Sequence, residues 1–276
     1  MIARPFYGYL PAALIILLFA GIVYAQRVGI LTPEPTPFTS GIASSIQQSL
    51  DPKFRMVDAE LATSAYESLK IEAPFNQSRE IAQRIGNIVG CDFFLLIKTT
   101  TARRSSSSRP SYFEASVFIW VVDARTGALV NWLIFSKQAD SALEAERQLS
   151  ESTNGFAEII GSDFKAPIST EPTVTFEVFE PDSKAIRPAM PYKRFKPEYT
   201  NTAYLFDVKA TVDAEVSIDE KGNVRQIDIL RWAGFGLDTS VADAIRKMNW
   251  RPGERNGKPL PMRVLLRYNF TKIDKE

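Results

Sequence analysis

Histidine is absent from the 276 residues, and cysteine occurs once, at Cys91. Without histidine the chain can hold no Ser-His-Asp or Cys-His nucleophile pair, no imidazole acid or base, and none of the commonest transition-metal ligand. A lone thiol closes no intramolecular disulfide and builds no structural zinc site. An excess of either charge is also missing: 33 Lys plus Arg face 32 Asp plus Glu, so no global basic field holds nucleic acid by counterion release. No carboxylate pair stands out from solvated faces such as that of Glu144, Glu146 and Glu151, so a glycosidase-type acid and base are not in evidence. These absences argue against enzyme activity, and no cofactor, metal or nucleic-acid partner is expected. The length allows two compact domains, each with its own core.

Residues 1–25 read as a targeting segment rather than part of a fold. Arg4 supplies a positive start, Phe6 to Ala25 is a run of 20 uncharged residues, and Val23-Tyr24-Ala25 offers a signal-peptidase site after Ala25. A run of this length also suits a helix of roughly 20 residues that spans a bilayer, so cleaved signal and retained anchor both stand. Either places the remainder beyond the membrane, released after Ala25 or held to the membrane by residues 6–25.

Residues 26–164 alternate strand and helix signals in the order βαβααβββα. Val28 to Leu31 is a short strand, and Thr39 or Ser40 caps a helix carrying Ile42, Ile46 and Leu50. Phe54 to Val57 is strand-like. A helix after Asp58 shows Leu61, Ala65 and Leu69 on one face, and Ser78 caps a third with Ile81, Ile85 and Ile88, ending at Gly90. Asp92 to Lys98, Tyr112 to Val122 and Ala128 to Gln138 are strands, the last two joined by a tight turn at Asp123-Ala-Arg-Thr-Gly127. Phe118, Trp120 and Val122 alternate with Ile119 and Val121, so that strand is apolar on both faces and central. Thr99 to Pro110, with Arg103, Arg104 and Arg109, reads as a polar hairpin tip or as a contact for anions or lipid headgroups. Asp140 to Ile160 is a final helix, and Cys91 a buried core thiol. The element order and the Val-Asp-x-x-Thr-Gly turn resemble the α/β domains of the TolB amino-terminal and CsgG-like families, which implies an envelope setting.

Six prolines fall between Ala166 and Glu198, where only Thr173 to Phe179 is strand-like. Residues 165–195 therefore read as a semi-extended connector that holds two domains apart. Beyond it, Val212, Ala214, Val216 and Ile218 alternate with Thr211, Asp213, Glu215 and Ser217, the pattern of a half-buried antiparallel strand. Gly222-Asn223 turns into a second strand, Val224 to Leu230, and Gly234-Phe-Gly236 ends the hairpin. Asp238 or Thr239 caps a helix bearing Val241, Ile245 and Met248, which Trp250-Arg-Pro-Gly253 stops, and a turn at Asn256-Gly257 leads into the last strand. The unit is ββαβ, and Trp232, Phe235, Trp250, Tyr268 and Phe270 read as core. The fold class is α+β: a segment over residues 1–25, an α/β domain over 26–164, a connector over 165–195 and a small domain over 196–276.

Pro197-Glu-Tyr199, the Gly222-Asn-Val224 turn, Leu237-Asp238, Ala244 to Gly253 with its Trp-x-Pro-Gly block, Gly257-Lys-Pro and the closing Phe270 together resemble the C-terminal domain of the TonB family. The resemblance implies a binding domain whose sheet edge accepts an extended segment of an outer-membrane TonB-dependent transporter. The residues it points to are the final strand, Arg263, Val264, Leu265, Leu266, Arg267, Tyr268, Asn269 and Phe270, and the docking block Lys196, Pro197 and Tyr199. The alternative for that strand is an ordinary edge that Arg263 and Arg267 protect from aggregation. Thr200 stands where the family has proline and Lys196 where transducers have glutamine. The absence of an anchor histidine leaves the inner-membrane motor complex open as a partner. The expected function is periplasmic docking of the energy-transduction type; the alternative is a soluble scaffold for surface or secretion assembly that homodimerises through the same domain.

Overall fold

The computed structural model describes residues 26–107, 111–164 and 186–272. Among the described residues no helix is long and apolar enough to cross a membrane; the segment over residues 1–25 and the strand-like Thr173 to Phe179 lie outside them.

The first body contains β1 (Arg27–Leu31), α1 (Pro37–Leu50), β2 (Arg55–Met56), α2 (Ala59–Glu67), α3 (Arg79–Val89), β3 (Phe93–Arg104), β4 (Tyr112–Asp123), β5 (Leu129–Ala139), α4 (Ala142–Glu151) and α5 (Thr153–Asp163). Its sheet runs β2-β1-β3-β4-β5, with β1 parallel to both neighbours and β3, β4 and β5 antiparallel. Because side chains alternate across a strand, Phe118, Trp120 and Val122 of β4 enter one apolar layer, while Val117, Ile119 and Val121 enter the opposite one with Ile42, Ile46 and Leu149. The predicted double-sided burial of β4 is present.

Local signals explain most element boundaries, with informative shifts. Thr36, not Thr39 or Ser40, caps α1, accepting the Thr39 N–H at 3.0 Å; Pro37 then sits in the first turn, where its missing N–H costs nothing. The buried face of α2 is Ala62 and Tyr66, whereas Leu61 is 69% exposed, so the apolar stripe is one residue off the expected one. In α3 the buried face is Ala82, Ile85 and Val89, and Ile88 is exposed. Ser78 does cap α3, and Gly90 ends it in the left-handed region at φ +70°. The expected helix from Asp140 to Ile160 is two helices, broken at Ser152. Thr99 to Arg104 is not a hairpin tip but the second half of β3, paired with β4 throughout; Arg109 and Pro110 lie outside the described residues.

The second part contains β6 (Ile186–Arg187), β7 (Met190–Pro191), α6 (Asn201–Leu205), β8 (Ala210–Ile218), β9 (Val224–Arg231), α7 (Leu237–Arg246), β10 (Trp250–Arg251), β11 (Gly253–Arg255), β12 (Lys258–Leu260) and β13 (Met262–Phe270). The main sheet is β13-β8-β9, two small sheets pair β7 with β10 and β6 with β11 and β12, and the described end of the connector is thus tied to the domain. Val212, Ala214, Val216 and Ile218 are fully buried in one layer with Val241 and Ile245 of α7. Gly236, not Asp238 or Thr239, caps α7.

The two parts are not held apart. One hydrophobic cluster joins Phe94, Phe118 and Trp120 of the first body to Val212, Trp232, Phe235 and Trp250 of the second. Periodicity could not reveal the joint because loop residues, Phe235 above all, link the strand faces that meet there. Gly234, Phe235 and Gly236 all have positive φ, +78°, 55° and +75°, a backbone two glycines make accessible, and it thrusts Phe235 among Phe118, Trp120 and Trp132 at ring distances of 5.4, 5.8 and 4.7 Å. The Gly-Phe-Gly segment is therefore a plug rather than a plain hairpin end.

Candidate docking site

Asn76, in the loop before α3, fixes how β8 presents its backbone. Its Nδ2 donates to the Thr211 carbonyl at 2.8 Å and to the Trp232 carbonyl at 2.8 Å, and its Oδ1 accepts the Thr211 N–H at 2.9 Å. Thr211 thus turns its main-chain groups away from β13. With no register shift between β8 and β13, the alternation of an antiparallel ladder makes Val212↔Tyr268, Ala214↔Leu266 and Val216↔Val264 the hydrogen-bonded pairs. Arg263, Leu265, Arg267 and Asn269 therefore point their N–H and C=O groups outward. Among the described residues β13 pairs with β8 alone, so it is an edge.

The side chains of the same four residues lie on the open face of the sheet, and Leu265 is 60% exposed. Arg267 is held by a bidentate pair with Asp213 of β8, Nε to Oδ1 at 2.7 Å and Nη2 to Oδ2 at 3.0 Å, while Arg231 of β9 reaches the same carboxylate at 3.3 Å. The Arg267 hydrogen bond, with Arg231 behind it, keeps the Asp213 carboxyl below the usual carboxylate range. Arg231 also donates to the Asn76 carbonyl at 3.0 Å, which links the edge to the first body through three side chains. Arg263 is paired with Glu215 at 3.2 Å. The polar face of β8 carries a charge network, with Asp213 6% and Ser217 1% exposed.

The docking block meets the end of this edge. A groove of about 760 Å³ is bounded by Lys196, Pro197 and Tyr199 on one side and by Arg267 to Phe270 on the other. Arg263, Val264, Leu265 and Leu266 lie farther along β13, outside the groove. Tyr199 is fixed in place: its hydroxyl donates to the carbonyls of Val208 at 2.7 Å and Ala203 at 3.1 Å, and its ring stacks on Phe270 at 6.3 Å. Burial raises its pKa. Thr200 caps α6 by accepting the Ala203 N–H at 3.1 Å, and its hydroxyl donates to the Phe235 carbonyl at 2.6 Å; a proline there could do neither, which gives this departure from the family pattern a physical reason. Asn201 and Tyr204 also line the groove, and Lys272 lies over the Tyr204 ring at 4.6 Å. These residues escaped the sequence reading because α6 has a single turn and no periodicity to reveal its faces.

Among the core aromatics, Trp232, Phe235, Trp250 and Phe270 are buried and Tyr268 half-buried. Cys91 is also half-buried, and burial pushes its thiol up to about 12.

No curated protein matches the chain. Among solved structures, similarity extends to a hypothetical protein from Chlamydia trachomatis, 12% identical over 51% of this chain and 99% of that one, TM-score 0.34. A lipoprotein from Neisseria meningitidis is 15% identical over 48% of this chain and 99% of its own, TM-score 0.32. The Pseudomonas aeruginosa TonB C-terminal domain is 21% identical over 34% of this chain and 93% of its own, TM-score 0.27. The model of the Gram-negative bacterial TonB protein C-terminal family matches residues 196–271, the span that contains the docking block, the β13-β8-β9 sheet and α7. Residues 196–271 are a TonB-family C-terminal domain, a periplasmic module of the bacterial cell envelope.

Proposed function

We propose that this chain docks an envelope partner by strand addition at β13, and that the partner is the periplasm-facing segment of an outer-membrane TonB-dependent transporter. The observation that supports this is the conjunction of an outward-facing backbone edge at Arg263, Leu265, Arg267 and Asn269 with the groove that Lys196, Pro197 and Tyr199 form at its end. Main-chain hydrogen bonds to the edge supply affinity, and the groove selects side chains. The role is one of binding and of the energy-transduction type, without a catalytic step. Residues 1–25 either release the protein into the periplasm or tether it to the inner membrane; intact mass and membrane fractionation distinguish the two.

Leu265→Pro tests the reading, because it deletes one outward N–H while leaving the β8 ladder intact. Titration of a synthetic transporter segment is expected to show at least about tenfold weaker binding to this variant, the cost of one or two main-chain hydrogen bonds. Unchanged binding by a folded Leu265→Pro protein overturns it. A second reading, a homodimerising scaffold, draws support from the same β13 edge, which a second copy can pair with; sedimentation equilibrium of the parent and of Leu265→Pro decides it, since dimerisation through β13 is lost in the variant.

A further inference from the structure

The two parts pack around shared aromatic rings and leave a cleft between them. This cleft of about 340 Å³ opens beside the Phe235 plug, with Phe75, Phe118 and Trp120 of the first body facing Phe206 and Phe235 of the second. Protein interiors carry few voids larger than a water molecule, and the surrounding rings pack closely, Phe75 against Trp120 at 4.8 Å and Phe118 against Phe206 at 4.8 Å. A gap of this size, walled by aromatic rings and situated between two units, has the size, lining and location typical of small-molecule sites.

The polar groups around the cleft give the ligand its charge. Lys98 and Lys209 line it with Asp207 as the one carboxylate. Lys98 is already engaged, 2.7 Å from Glu34 and 5.0 Å from the centroid of the Phe75 ring. Lys209 is exposed and has no ion-pair partner among the described residues, so its ammonium is available at the rim of an apolar, ring-lined space.

We propose that this cleft binds a small aromatic carboxylate, its ring lying against the Phe75, Phe206 and Phe235 side chains and its carboxylate meeting Lys209. Offset and edge-to-face contacts with the wall rings favour a flat aromatic body over a flexible chain. Since the ligand touches both parts, it also holds them together, and its binding raises the unfolding temperature of the whole chain.

Titration with 2-naphthoate, followed by tryptophan fluorescence and by calorimetry, tests the proposal on the full chain. The expected result is saturable binding with one site per chain, weakened at least tenfold by Lys209→Glu, a change at an exposed position. The neutral isostere 2-naphthamide should bind more weakly than 2-naphthoate to the parent and be indifferent to Lys209→Glu. The unfolding temperature should rise with 2-naphthoate in the parent and much less in Lys209→Glu. Absence of saturable binding to the parent, or equal affinity of the parent and a folded Lys209→Glu protein for 2-naphthoate, overturns the proposal.

Discussion

The indole N–H of Trp120 donates to the carbonyl of Ala233 at 3.1 Å. The relation is returned across the same joint, where the indole of Trp232 donates to the carbonyl of Gly127 at 3.1 Å. Both tryptophans are essentially inaccessible to solvent, and a buried N–H left without an acceptor costs about 1–3 kcal/mol. Each part therefore supplies the acceptor that lets the other bury its indole. The TonB-like domain of this chain rests on the α/β body as an integral layer.

Gly234 is the position where that joint is least tolerant. A Cβ there would come within 2.4 Å of Trp132 Cδ1 and 2.8 Å of Trp120 Nε1, at a φ of +78°. Gly234→Ala combines a left-handed backbone with a clash against two packed rings, and the expected loss is about 2–4 kcal/mol. Urea unfolding followed by tryptophan fluorescence measures it. Gly257→Ala, also at positive φ but with open space around it, should cost about 1 kcal/mol, the backbone share alone.

The loop that carries Gly234 is braced by a buried carboxylate, and this sets a pH dependence. Asp238 accepts the N–H groups of Ala233 at 2.9 Å and Gly234 at 2.7 Å. Burial outweighs those bonds and raises its pKa to about 6. A folded-state value above the unfolded one means that the native protein binds more protons between about pH 4 and 6, so this group's contribution is greatest below pH 4 and is lost as pH rises through 6. The change is roughly 3 kcal/mol from the size of the shift. Asp238→Asn removes the titration. Measured at pH 4.5 and pH 7, the stability difference between parent and variant should move in the variant's favour as pH rises, and an unchanged difference would show that the loop is braced otherwise.

Much of the first body was legible in its residues because a single strong signal governed each element. The apolar runs of β3 and β4 required two covered faces, and Ser78 and Gly90 bracketed α3 by capping chemistry alone. Where signals competed, the reading slipped by a turn or less: Thr39 and Ser40 looked like the cap but Thr36 opens α1, and Leu61 outranked Ala62 in hydrophobicity although the smaller residue fits against the core. The edge character of β13 was implied by the family resemblance, and its pairing with β8 agrees. Its charge network was not, because Asp213 and Arg267 are far apart in sequence and only the β8–β13 register places them opposite each other. The joint was the least legible, since Phe75, Asn76, Gln77 and Phe235 sit in loops without a period.

Cys91 should be a slow thiol. Burial pushes its pKa to about 12, and the thiolate is the reactive species. At pH 8 its thiolate fraction falls at least a hundredfold below that of an unperturbed cysteine, by about 1.4 kcal/mol per pKa unit. Alkylation by iodoacetamide should be slower by that factor in the native protein and reach the free-thiol rate in guanidinium chloride. Rapid native labelling would mean that the segment from Val89 to Asp92 opens locally.

Asn76 makes the sharpest test of whether the two parts act as one. Its amide meets two carbonyls and one N–H of the TonB-like domain, all within 2.9 Å. Asn76→Asp keeps the shape and the acceptor but replaces the two donors with an oxygen facing the carbonyls of Thr211 and Trp232, so both carbonyls lose a partner and gain a repulsion. Two lost hydrogen bonds with their acceptors left half-buried amount to about 2–4 kcal/mol. Because Thr211 is the second residue of β8, the loss should be felt at the joint first. Hydrogen exchange should show faster exchange at Trp232 and Ala233 in Asn76→Asp, while the amides of β3 and β4 keep their protection. Uniform loss of protection across both parts would instead make the chain a single cooperative unit, with the docking edge and the α/β body gaining and losing structure together.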